Sequence, residues 1–115
     1  MNPDKEVFQA LLKSGLRGTK RAWQEGHAPP LPWFVYMRRM GGEVMADDSN
    51  FAELPRYCVE LYQREDDPSV REALEGAMRS ADGIGPYTAY EDWIPTEQCL
   101  MTSYYFTFHP KETTE

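Results

Sequence analysis

The stretch that decides the fold runs from Pro55 to Met78: PRYCVELYQREDDPSVREALEGAM. Its first half alternates. Arg56, Cys58, Glu60 and Tyr62 fall on one face of an extended chain, and Tyr57, Val59 and Leu61 on the other. A period of two is that of a strand. Asp67-Pro68 then breaks the pattern, and Val70, Ala73, Leu74, Ala77 and Met78 recur at helical spacing. Asp67 caps this helix, Pro68 opens it, Gly76 weakens its middle and Asp82-Gly83 ends it. A strand therefore feeds a helix with almost no loop between them.

Working back toward the N-terminus, Trp33 to Met40 (WFVYMRRM) is aromatic and β-branched. Both of its faces are apolar at the start, which predicts a central strand. Gly26 to Pro32 (GHAPPLP) contains Pro29, Pro30 and Pro32 and reads as a stiff connector. Thr19 to Glu25 is a candidate short strand. Asn2-Pro3-Asp4 starts a helix, with Asn as cap and Pro in the first turn, and Gly15 ends it. Val7, Phe8, Leu11 and Leu12 form its apolar stripe.

Between the aromatic strand and Pro55 lies Gly41 to Leu54 (GGEVMADDSNFAEL), read as a long polar loop or hairpin arm. Loops of this length are usually functional. Toward the C-terminus, Pro86 to Ile94 alternates, Pro95-Thr96-Glu97 turns, and Gln98 to Phe108 alternates again. Leu100, Thr102, Tyr104, Phe106 and Phe108 share one face, and Cys99, Met101, Ser103 and Tyr105 the other. These two runs predict an antiparallel hairpin. The order is α-β-β-β-α-β-β. It is an α+β domain spanning residues 1–115, a mostly antiparallel sheet flanked by two helices. Residues 110–115 are expected to fray.

The bulk composition bounds what such a domain does. At 115 residues the chain supports one core, and 41% hydrophobic residues mark it as folded. No apolar run approaches the roughly 20 residues of a membrane span. MNPDKE lacks a basic-then-apolar signal, so assembly in a cytoplasm is expected. Cys58 and Cys99 read as reduced, buried thiols.

The net charge of −7 argues against general nucleic-acid binding. Residues 1–40 hold seven Lys/Arg against three Asp/Glu, or +4; residues 41–115 hold five against sixteen, or −11. This is either solvated surface or a building block whose basic and acidic faces meet copies or partners.

Chemistry-bearing motifs are sparse. His27 and His109 have no His or Cys neighbour at metal-ligand spacing. The glycines at 41–42 and 83–85 lack a phosphate-loop pattern. Asp47-Asp48 is a weak cation signal, and Glu60 suits a cross-strand charge partner. No catalytic, cofactor or metal residues are assigned, and the chain reads as a non-enzyme. Seven Tyr, three Trp and five Phe exceed what two short helices obviously cover. Tyr62, Tyr90 and Tyr104 are candidates for uncovered sheet faces, with core packing as the alternative. The candidate partner contacts are Val44, Met45, Asp47, Asp48 and Phe51 in the loop, with Tyr62 and Tyr90 on the sheet.

The order of motifs carries a resemblance. Pro29-Pro30 leads to an aromatic strand ending near Tyr36. Ala46-Asp47-Asp48 and Phe51 follow, then Arg56-Tyr57-Cys58-Val59-Glu60-Leu61-Tyr62, Asp67-Pro68, Leu74-Glu75 and Trp93-Ile94. Over residues 29–108 the chain resembles the minor neck proteins of long-tailed phages and prophages, the tail-completion, tail-terminator and head–tail joining family. The pattern RYxVELYxxxxDP is its specific part.

That resemblance implies a non-enzymatic role in the virion neck. Copies of the chain would form a ring, often of six, that ends the tail tube and meets the head–tail connector. DNA would pass through without specific binding, and no membrane or cofactor is implied. A connector adaptor is the alternative within that class, and a small-molecule-binding α+β module or enzyme the alternative outside it.

Overall fold

A computed structural model describes residues 2–39 and 54–110. The elements are α1 (Pro3–Leu12), β1 (Arg17–Lys20), β2 (Trp33–Arg39), β3 (Arg56–Gln63), α2 (Pro68–Ser80), β4 (Thr88–Ile94) and β5 (Cys99–Thr107). The order is the expected α-β-β-β-α-β-β. The strands form one sheet in the order β1-β2-β3-β5-β4. β1 and β2 are parallel, and the other neighbours are antiparallel. No helix among the described residues is long and apolar enough to cross a membrane.

Both helices start as their sequences require. Asn2 Oδ1 accepts the Lys5 N–H at 3.3 Å. Asp67 Oδ1 accepts from the Ser69 N–H at 3.0 Å and the Ser69 hydroxyl at 2.8 Å, which holds the Asp67 carboxyl below its ordinary range. Gly15, at φ +86°, turns the chain out of α1 into β1.

The unit quoted first is a crossover. β3 and β4 point the same way because both run antiparallel to β5. α2 joins them, and β5 slots in between. This split β-α-β arrangement explains why a strand runs into a helix so abruptly. The helix must return across the sheet to start β4 on the far side of β5.

The core lies between the helices and one face of the sheet. Val7 and Leu11 of α1 and Leu74 and Met78 of α2 meet Phe34, Tyr57, Val59, Leu61 and Tyr104, all fully buried. Each such apolar side chain contributes about 1.5–3 kcal/mol by leaving water. Phe8 stacks on Tyr36 with centroids 5.1 Å apart, closing the α1 side. Leu12, expected in the stripe, is 40% exposed as the last residue of α1.

One local expectation needs correction. The strand read over Thr19–Glu25 is Arg17–Lys20 instead. Arg21 takes φ 67°, and the Ala22 N–H turns back onto the Lys20 carbonyl at 2.7 Å, so the ladder stops there. The aromatic strand is interior, as its two apolar faces predicted: Trp33–Arg39 pairs with β1 on one side and β3 on the other. Met40, residues 41–53 of the expected arm, and residues 111–115 of the expected frayed tail lie outside the described residues.

Candidate interaction surface

Among the described residues both helices cover one face of the sheet, so alternation places every second residue on a face without helices. Trp33, Val35, Met37 and Arg39 of β2 stand there beside Arg56, Cys58, Glu60 and Tyr62 of β3. Met101, Ser103 and Tyr105 of β5 and Tyr90 and Asp92 of β4 complete it. The aromatics on this face organise themselves. Trp33 packs on Tyr62 with centroids 4.8 Å apart, and Trp23 on Trp33 at 5.8 Å. Tyr105 meets Tyr90 at 5.8 Å, and the Arg39 guanidinium lies 4.7 Å from the Tyr105 ring centre.

Glu60 has no charge partner opposite it; its cross-strand neighbours are Val35 and Ser103. It accepts from the Tyr62 hydroxyl at 2.8 Å instead. Burial, then the bond to Glu60, pushes the Tyr62 phenol well above its ordinary range. Burial also raises the Cys58 thiol, with Glu60 adding to it, and burial raises Cys99. Both cysteines are unpaired, buried thiols. Thiols held protonated in this way are poor nucleophiles.

Of the candidate contacts, Tyr62 and Tyr90 do share the uncovered face. They sit two strands apart: Tyr62 lines up with Met101 and Asp92, and Tyr90 with Ser103 and Glu60. Tyr90 is 63% exposed, whereas Tyr62 is half-buried under Trp33. Tyr104 is a correction. It is fully buried on the helix side, where its hydroxyl donates to Glu75 at 2.7 Å. Val44, Met45, Asp47, Asp48 and Phe51 lie outside the described residues.

The most exposed element among the described residues is β4, of which the sequence reading marks only Tyr90 and Trp93-Ile94. Every residue of β4 from Thr88 to Trp93 is exposed, and its outer edge pairs with nothing among the described residues. Trp93 stands 48% exposed on it. The available signal was Glu91, a charge on the same face as Ala89 and Trp93, which marks a strand with no core-facing side. Beside it, Arg39, Tyr90, Asp92, Ser103 and Tyr105 line an open groove of about 490 Å³.

No model of a known protein family and no curated protein matches the chain.

Chemically, the surface offers rings, hydroxyls and mixed charge. Among the described residues no group of three or more His, Cys, Asp or Glu is placed to hold a metal ion. His27 Nδ1 sits 3.1 Å from Gln24 Oε1 in the proline connector. The arrangement suits contact with another protein surface: aromatic anchors, a cation over a ring, and polar groups around them.

Proposed function

We propose that the chain is a non-enzymatic structural protein of a phage or prophage neck, assembled in the bacterial cytoplasm. Copies of it form a ring that ends the tail tube and joins it to the head connector. The observation that carries this reading is that, among the described residues, an aromatic sheet face without helices lies beside an exposed edge strand, β4, whose outer side has no partner. A small domain that leaves both open is equipped for protein contacts on more than one side. The motif order over residues 29–108 supplies the particular assembly.

Disrupting the gene in its own phage tests the reading. Electron microscopy should show tails of irregular length beside unjoined heads, with complementation restoring joined particles. Tails of normal length beside unjoined heads would instead identify a connector adaptor. Normal, infectious particles would sink the neck assignment.

A further inference from the structure

Among the described residues β1 and β4 are the two edges of the sheet, and they carry opposite charge. β1 presents Arg17 and Lys20, with Arg21 just beyond it; β4 presents Glu91 and Asp92. All five side chains are exposed. Lys20 is tied to Asp4 at 2.8 Å, and Glu91 has Arg71 at 3.8 Å. Arg17, Arg21 and Asp92 make no ion pair among the described residues. The strand order thus turns part of the charge difference between the two ends of the chain into a difference between two edges.

Strand direction is the second constraint. β1 and β2 run one way, β3 the other, β5 back again, and β4 opposite to β5. When one copy is set beside the next with helices on the same side, β4 meets the neighbour's β1 antiparallel. Antiparallel ladders are the slightly more stable kind.

We propose that β4 of one copy pairs with β1 of the next, head to tail, so that the sheet continues between subunits. The proposal rests on the ring reading and specifies its joint. A register with Asp92 opposite Arg17 keeps both faces in phase, because Arg17 lines up with Trp33 and Asp92 with Met101 on the uncovered face. The same register sets Tyr90 opposite Thr19, and Glu91 opposite Gly18 and diagonal to Lys20 on the helix side. Opposite charges at such positions favour pairing, and like charges oppose it.

The rival is β4 against β4 around a two-fold axis. That would bring Glu91 and Asp92 of both copies together, four carboxylates on one seam. Edge charges of this kind block self-pairing. They disfavour the closed dimer and leave the basic edge as the complementary partner. The resulting contact is heterologous, the kind that builds rings when its rotation closes.

Zero-length carbodiimide coupling on a mixture of ¹⁴N- and ¹⁵N-labelled protein tests the joint. Within one chain Lys20 and Glu91 are four strand spacings apart, about 19 Å, too far for a direct amide. A mixed-isotope Lys20–Glu91 peptide is expected. Arg17→Glu/Arg21→Glu and Asp92→Lys proteins, each shown folded by circular dichroism, should self-associate at least about tenfold more weakly than wild type. Mixing the two should restore association, since each repairs the other's edge. If both variants associate as wild type does and the cross-links fall elsewhere, edge pairing is wrong while a ring built through another surface stands. A monomeric mass up to millimolar protein also overturns edge pairing; the neck assignment would then fall only with the gene-disruption result.

Discussion

The Tyr104 hydroxyl reaches across from β5 and donates to Glu75 of α2 at 2.7 Å. The ring is fully buried, so this bond fixes α2 over the sheet at a point no apolar contact could specify. Tyr104→Phe keeps the ring and removes the bond. Hydrogen bonds to charged groups contribute about 1.5–3 kcal/mol, and a loss in that range is expected in urea unfolding. An unchanged midpoint would mean that water serves Glu75 equally well.

Three phenols share this design. Burial comes first, and bonds to Asp4, Glu60 and Glu75 add to it, raising Tyr57, Tyr62 and Tyr104 far above their ordinary value near 10. Above about pH 10 the unfolded chain releases these protons and the folded chain keeps them. The stability they contribute is complete below pH 10 and falls as pH rises beyond it. Urea midpoints should begin to fall near about pH 9, where Cys58 and Cys99, whose thiols are raised in the folded protein, start to lose protons in the unfolded chain, and should drop more steeply above about pH 10. The tyrosinate absorbance of these three should appear only together with loss of near-ultraviolet dichroism.

Two glycines should respond in opposite directions to alanine. A Cβ on Gly18 would come 2.1 Å from the Phe34 ring, which is itself fully buried. Gly18→Ala must displace β1 or Phe34, and about 1–3 kcal/mol of destabilisation is expected. Gly76 sits inside α2 with nothing closer than the Arg79 guanidinium at 4.0 Å. Gly76→Ala should therefore stabilise by about 0.5–1 kcal/mol through helix propensity. Thermal melts of the two proteins should shift apart.

Thr102 offers a further gain. Among the described residues its hydroxyl is buried on β5 without a partner, as is the Gln63 side-chain carbonyl oxygen of β3. An unpaired buried hydroxyl costs about 1–3 kcal/mol. Valine has nearly the same shape and suits a strand. Thr102→Val should raise the urea midpoint, by an amount equivalent to about 1 kcal/mol. A fall would show that the hydroxyl does find a partner.

These positions also mark where sequence reading stops. The alternation of Arg56–Gln63 and Cys99–Thr107, the Asp67 cap and the β4–β5 hairpin are local, and each was legible. Strand order is not local. Nothing in the spacing says that β5 inserts between β3 and β4, so the uncovered edge of β4 and its opposition to β1 were hidden. Tyr104 shows the same limit. Its parity with Thr102 and Phe106 was legible, but which face the helices cover was not, so it was read toward an uncovered face; its partner Glu75 lies 29 residues away. Tyr62 and Tyr90 fall on the face without helices because strand alternation is local and could be read from spacing.

Asp4 ties three elements together from the first turn of α1. It accepts from Lys20 of β1 at 2.8 Å and from the buried Tyr57 hydroxyl of β3, with Arg38 of β2 at 4.0 Å. Burial pushes its carboxyl up, but the bonds from Lys20 and Tyr57 and the two cations outweigh that, so it sits below its ordinary value of 3.8. A depressed carboxyl contributes stability that is complete well above that ordinary value. The contribution is lost as pH falls toward the folded-state value. Asp4→Asn should destabilise by about 1–2 kcal/mol at neutral pH, because Tyr57 keeps only a neutral acceptor and Lys20 loses its counter-charge. The difference from wild type should shrink steadily once pH falls below about 4. A difference that stays constant down to pH 2 would mean that shape, not charge, is what Asp4 supplies.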